Sequence, residues 1–219
     1  MNCPLCRSQK SSEYFDVTER VFKVPRQRTY QLCNMCSLVF LNPEHRLDPG
    51  AEKARYDTHE NSLEQEGYTN FLLQMWGPLK TKLKSSALGL DYGCGPTPAL
   101  AQLIENDGFK IETYDPFYKP EFNFKKYDFI TCTEVLEHVF DLNKVFEHLD
   151  MLLVEGGYFA VMTEVLSDKI NFPKWRYRDD DTHVCFFQPA TIKFIADNFS
   201  YEIDYFDEQR VVIFKKVSV

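Results

Sequence analysis

The 219-residue chain has no run of apolar residues near the ~18–20 that a helical membrane span needs, so no membrane-embedded segment is expected. Internal repeats and low-complexity stretches are also missing, which argues against solenoid and fibrous architectures. The opening residues, Met1-Asn2-Cys3-Pro4, carry neither the basic nor the apolar region of an export signal, and a reducing, cytoplasmic setting is the expectation. Basic charge is in short supply, since 25 Lys/Arg face 33 Asp/Glu for a net −8. The deficit lies in residues 51–219, with 18 basic against 28 acidic side chains; residues 1–50 hold 7 against 5. An acidic body does not suit non-specific nucleic-acid binding, which rests on neutralising phosphates. Lys23, Arg26 and Arg28 form a weak basic footprint near the start, and four metal-bound thiolates would remove about two units of that charge.

What is present is ordinary globular material, 44% hydrophobic and 26% charged, enough for one α/β domain with a small appendage. Four of its seven cysteines form two pairs, Cys3-x-x-Cys6 and Cys33-x-x-Cys36. A two-residue gap lets both thiolates of a pair face one point, and two such knuckles supply a tetrahedral site. The 26 residues between the pairs exceed the common spacing of roughly 15–20, so a longer hairpin is expected between them. Glu13–Val17 and Thr29–Leu32 read as its strands, on either side of a loop containing Pro25. Disulfides or redox pairs are the alternatives. A structural Zn²⁺ is favoured, because so small a segment needs a staple and four cysteines leave no coordination position open for catalysis.

The expected organisation is a zinc-ribbon-like module over residues 1–42, a linker and capping helical segment over 43–84, and a main domain over 85–219. Asn42-Pro43 and Asp48-Pro49-Gly50 are turn signals, and Gly77-Pro78 is a break or kink in an amphipathic helix. From residue 87 strands and helices alternate: strands at 87–92, 109–114, 127–132 and 158–163, helices near 100–104, 142–153 and 190–198, then a hairpin of 201–206 and 211–216. Repeated βα units predict a doubly wound, mostly parallel sheet with one antiparallel strand.

Asp91-Tyr92-Gly93-Cys94-Gly95-Pro96 sits at a strand end and opens into a helix, where such sheets bind ligands. Asp115, 24 residues after Asp91, ends the next strand and suits ribose hydroxyls. A dinucleotide fingerprint wants a third glycine, but Pro98 stands there. Asp91 is unfavourable beside a pyrophosphate and favourable beside an ammonium group. Together with Tyr127-Asp128-x-Ile130, Glu134-Val135-Leu136-Glu137-His138 and Leu153-x-x-Gly156-Gly157, these residues resemble the class I methyltransferases that use S-adenosylmethionine (SAM). The compact group with ubiquinone-type O-methyltransferases and small-RNA 2′-O-methyltransferases is the nearest likeness. The family usually has one more glycine where this chain has Thr97, which stiffens the loop.

The resemblance implies a Rossmann-like, seven-stranded sheet with SAM along its carboxyl edge. Asp91, Gly93, Cys94 and Gly95 would face the methionyl part, Asp115 the ribose and Phe117 the adenine. Glu134 would lie near the cofactor, and Tyr56, His59 and Tyr68 would close over it. It also implies a second divalent metal on Glu134, Glu137, His138 and His183, because carboxylates three apart share a helix face. His183, then His138, could instead take the acceptor's proton without a metal, or be structural. The long connection 164–187 offers Trp175 and Arg176 for acceptor contact; its run Asp179-Asp180-Asp181 reads as a solvated face. The acceptor is expected to be a small molecule or nucleotide-containing compound. An RNA methyltransferase holding RNA with its ribbon, and a non-catalytic interaction protein on the same fold, are the competing readings.

Overall fold

The computed structural model describes residues 1–21, 24–57, 65–121 and 124–217, with no account of the side chains of 19–25. Lys23 and His59 lie outside the described residues. The chain begins with a long antiparallel hairpin, β1 (Ser11–Val21) and β2 (Val24–Cys33), followed by a short β3 (Val39–Leu41). Two helices come next, α1 (Pro49–Tyr56) and α2 (Glu66–Lys80). Asp48-Pro49-Gly50 is the start of α1 rather than a linker. The Asp48 carboxylate accepts from the Gly50 and Ala51 amides at 3.0 Å each, and Pro49 takes a first-turn position where its missing N–H costs nothing. No break occurs at Gly77-Pro78: α2 runs through both and ends two residues later.

The main sheet follows: β4 (Leu88–Tyr92), α3 (Ala99–Asn106), β5 (Lys110–Tyr114), β6 (Tyr127–Thr133), α4 (Leu142–Leu152) and β7 (Leu153–Met162). After a long connection come a short helix α5 (Arg176–Asp179), a two-residue strand β8 (Cys185–Phe186), α6 (Pro189–Asn198), β9 (Tyr201–Phe206) and β10 (Val211–Lys216). Strand order is β5-β4-β6-β7-β10-β9, and only β10 runs antiparallel to its neighbours. Among the described residues this sheet has six strands, where seven were expected. Twelve residues separate β5 from β6, which lies on the far side of β4. So short a crossover spans β4 and leaves nothing over for another strand and its return helix.

Both faces of the sheet are covered, which is why its strands read as near-continuous apolar runs. Their side chains alternate between two cores. Phe159, Val161, Val212 and Phe214 enter one with α4 and α6; Ala160, Met162, Val211 and Ile213 enter the other with α2 and α3. Gly89, in β4, marks the tightest approach, since a Cβ there would lie 2.2 Å from the Phe129 ring. Gly89→Ala is therefore expected to destabilise the protein by about 1–3 kcal/mol through overpacking. Urea unfolding would check this; an unchanged midpoint would show that Phe129 can move aside.

The cysteine-bearing hairpin is welded to this body. β3 pairs with β8 from the long connection, making a four-stranded sheet of order β1-β2-β3-β8. Leu5, Tyr30, Leu38 and Phe40 share one continuous core with Phe146, Phe159 and Phe186. The Asn143 amide, in the first turn of α4, donates to the Pro4 carbonyl at 2.9 Å, and Arg7 pairs with Asp141.

Candidate functional site

A cavity of about 850 Å³ opens at the carboxyl ends of β4, β5 and β6, where the chain order reverses across the sheet. One wall is the turn after β4. Gly93 and Gly95 have φ of +80° and +66°, in the region that favours glycine. At Gly93 a Cβ would also meet the Val135 side chain at 2.4 Å. The Gly93 and Cys94 amides donate to the Tyr114 carbonyl, tying the turn to the end of β5.

Asp91 is buried at the mouth of β4, its Oδ1 accepting from the Thr131 hydroxyl at 2.9 Å. Burial pushes its carboxyl up to about 7 against that hydrogen bond. Asp115 accepts from three backbone amides, Gly95 at 2.9 Å on one oxygen and Phe117 and Tyr118 at 2.8 and 3.1 Å on the other. A carboxylate has roughly four acceptor positions, so one remains for a further donor. Phe117 lines the cavity beyond it.

α1 spans the opening. Tyr56 meets Phe117 on one side at 5.7 Å between ring centroids and His138 on the other at 5.2 Å. Its hydroxyl donates to the buried Glu52 at 2.6 Å. The helix is fixed by Arg55 to Asp180 and by the Tyr118 hydroxyl to Asp57, each at 2.6 Å. Tyr68, on α2, lines the same cavity.

Glu137, His138 and His183 converge on the opposite wall, with ligand atoms within 4.8 Å of one another. His138 Nδ1 lies 3.1 Å from the Thr182 carbonyl and His183 Nδ1 lies 2.6 Å from the Tyr177 carbonyl. A carbonyl can only accept, so each imidazole carries its proton on Nδ1 and its lone pair on Nε2. Burial depresses His183 to about 4, keeping it neutral. Glu137 is fully buried; one oxygen accepts from the Tyr177 hydroxyl at 2.6 Å, while Oε2 has no hydrogen-bond partner among the described residues. A buried carboxylate oxygen without a partner among the described residues, set beside two imidazoles whose Nδ1 atoms are held by carbonyls, is what a divalent cation would satisfy.

Glu134 does not join this group. The expected helix is only a three-residue 3₁₀ turn, Leu136–His138, and Glu134 precedes it with φ +51°. The two carboxylates therefore diverge: Glu137 turns inward, and Glu134 reaches Arg210 at 3.3 Å. Burial raises Glu134 to about 7 although Arg210 opposes it.

Arg176 lines the cavity, whereas the Trp175 indole packs against Phe172, Tyr177 and Phe186 and donates to Glu164 at 2.8 Å. Of the aspartate run, only Asp179 is a solvated residue. Asp181 is buried against Arg28, and Asp180 lines the cavity. Burial would raise Asp180, but the hydroxyl and amide of Thr182, with Arg55, hold it well below the usual carboxylate range. Arg26 and Arg28 likewise turn inward, to Asp181 and to the carbonyls of His45 and Asp180. Glu52, Arg55 and Arg210 escaped the sequence reading because no short motif contains them.

At the far end of the molecule, the Sγ atoms of Cys3 and Cys36 lie 3.5 Å apart and those of Cys6 and Cys33 lie 3.4 Å apart. All seven cysteines are free. Bonds of about 2.3 Å to a tetrahedral zinc put sulfurs roughly 3.8 Å apart, so the cluster fits such an ion. Each knuckle closes identically: Arg7 and Ser37 take φ of +63° and +58°, and their amides donate to the carbonyls of Cys3 and Cys33. The contact with Cys36 lowers the Cys3 thiol to about 5 and pushes Cys36 far up, so the pair shares one proton between its two sulfurs.

Residues 61–205 match a family model described as a methyltransferase domain. Comparison with curated protein sequences gives no match. Among solved structures the chain is similar to the Burkholderia thailandensis 1,6-didemethyltoxoflavin-N1-methyltransferase, which has 1,6-didemethyltoxoflavin and S-adenosylhomocysteine bound. Identity is 12% and the TM-score 0.59, covering 84% of this chain and 98% of that one. A SAM-dependent methyltransferase from Archaeoglobus fulgidus gives 16% identity and a TM-score of 0.53, over 69% and 95%. A phosphoethanolamine N-methyltransferase from Haemonchus contortus gives 14% and 0.50, over 68% and 53%. Identities this low speak to the fold alone.

Proposed function

The chain belongs to the methyltransferase-domain family, and from that premise we propose that it moves a methyl group from SAM to a hydroxyl of a small-molecule acceptor. The observation that carries this reading is one cavity with two chemically different walls: Asp91, Gly93–Gly95 and Asp115 on one, Glu137, His138 and His183 on the other. SAM brings an already activated methyl group, so alignment and exclusion of water are left to the protein. Asp91 receives the ammonium end, the remaining acceptor position of Asp115 takes a ribose hydroxyl, and Phe117 covers the adenine. Tyr56 and Tyr68 close the cavity above, and Glu134 stands beside the methionyl part.

Glu137, His138 and His183 would hold a divalent cation, which would orient the acceptor hydroxyl and lower its pKa. Glu134 is left out of that ligand set because Arg210 takes its carboxylate. The orphaned Glu137 oxygen favours this over a metal-free His183 base, as does an imidazole too weakly basic to take a hydroxyl proton unaided. Arg176 is the cationic side chain of the lining and would meet the acceptor. The Cys3/Cys6/Cys33/Cys36 cluster would hold a structural Zn²⁺.

Calorimetric titration with S-adenosylhomocysteine, with NADH as control, tests the cofactor. Micromolar binding of the first and none of the second is expected; binding of neither would sink the enzyme reading. The pH dependence carries a second expectation. Asp91 is protonated in the free protein below about 7, while an ammonium ligand selects the carboxylate. Affinity should be full above that pH and fall about tenfold per unit below it. Asp91→Asn should bind weakly at every pH and show no such slope.

A further inference from the structure

The long connection that carries His183 is held from behind by the cysteine-bearing module. Strand β8 pairs with β3, and the Leu41 amide donates to the Val184 carbonyl at 2.8 Å. On its other side the Val184 amide donates to the Glu137 carbonyl at 2.7 Å. His183 is therefore two residues before β8 and adjacent to Val184, which is held between the cysteine module and the turn that carries Glu137 and His138. Two more ties come from the module. Arg28 is buried at 1% exposure, with its guanidinium 3.5 Å from the Asp181 carboxylate and 3.3 Å from the Asp180 carbonyl. The Gln188 amide donates at 2.8 Å to the carbonyl of Ser37, the residue that closes the second knuckle. Among the described residues no such hydrogen bond or ion pair joins the module to the turn after β4 or to Asp115, which are tied to β5 and to each other.

We infer that the cysteine module is a positioning element for the acceptor wall: Arg28 and β3 hold residues 180–187 in register, so occupancy of the Cys3/Cys6/Cys33/Cys36 cluster sets the placement of His183 while leaving the cofactor wall untouched. The inference rests on the two-walled site proposed above, and it gives the module a role within the site rather than an independent binding task. A guanidinium suits that role. Its planar fork reaches a side chain and a main-chain carbonyl at once, fixing both the position and the direction of the segment.

The test is hydrogen exchange on the full-length protein, read alongside calorimetric titration with S-adenosylhomocysteine. In Arg28→Met, and separately in Cys6→Ala, amides of residues 180–187 should exchange at least about tenfold faster, while those of β4 and β5 keep their protection. S-adenosylhomocysteine affinity should stay within about twofold of the parent. In the unsubstituted protein, the Leu41 and Val184 amides should open together, at one rate. Unchanged protection of 180–187 in both variants overturns the inference, as does a more than about tenfold difference between Leu41 and Val184. Equal loosening of both walls also overturns it, since that is what a purely structural staple would give. If the unsubstituted protein fails to bind S-adenosylhomocysteine, the methyltransferase reading fails, and the exchange data still decide the coupling.

Discussion

Glu137→Gln and His183→Ala are each expected to weaken Mn²⁺ binding at the acceptor wall by more than about 100-fold, with S-adenosylhomocysteine affinity unchanged. The reasoning starts from burial. Glu137 is fully enclosed, and an ionised carboxylate there is costly unless both oxygens are satisfied. Tyr177 serves one of them; the other has no partner among the described residues, and burial and the neighbouring Glu134 push the group well above the carboxylate range. A cation reverses that balance, and glutamine, isosteric but neutral, removes the reversal. His183→Ala removes an Nε2 whose orientation is already fixed through Nδ1. Tyr177→Phe is the graded control. It leaves every proposed ligand in place but removes the hydroxyl that orients Glu137, and a loss of about 10–100-fold is expected. Electron paramagnetic resonance of Mn²⁺ titrated into the protein reads all three without any acceptor. Wild-type affinity in both Glu137→Gln and His183→Ala would leave His183 a metal-free or structural residue. Methyl transfer by the same variants should fall by about 10²–10⁴ once an acceptor is found.

The two walls differ in how legible they were. The cofactor wall is local: Asp91, Gly93 and Gly95 lie within five residues, and Asp115 ends the adjacent strand, so a strand–turn–helix pattern sufficed to bring them together. The closing hairpin, Tyr201–Phe206 and Val211–Lys216, was legible as two short apolar-rich runs, and Val211–Phe214 of the second alternate between the two cores. On the acceptor wall the outcome depends on tertiary partners. Glu134 and Glu137 looked like one face of a helix, yet no helix longer than three residues forms there, and the fork between Arg210 and Tyr177 decides where each carboxylate goes. Asp180 and Asp181 read as solvent-facing because their cationic partners, Arg55 and Arg28, are more than a hundred residues away in sequence. The six-strand count follows from a twelve-residue spacing that was visible, but its consequence appears only once β6 is known to lie across β4.

Cys36→Ser should be the most damaging single change to stability. Structural zinc held by such knuckles contributes about 10–16 kcal/mol of apparent binding free energy in isolated peptides, comparable with or larger than the ~5–15 kcal/mol that separates a whole domain from its unfolded state. Serine cannot supply the fourth thiolate. Its neighbour Cys3 would be left buried with a missing partner, and the knuckle that turns at Ser37 would lose its closure. Were the ribbon an independent bead, the damage would stop at its own residues. It does not stand alone: Leu5, Tyr30, Leu38 and Phe40 fill the same core as Phe146 and Phe186, and Pro4 and Arg7 engage the first turn of α4. The expected result is loss of zinc from one equivalent to none by metal analysis, together with a broadened thermal transition in which the module and residues 180–187 open before β4 and β5. A variant that retained one equivalent of zinc and the parent melting curve would remove the structural role from the cluster, and with it the reason for four cysteines to meet at one point.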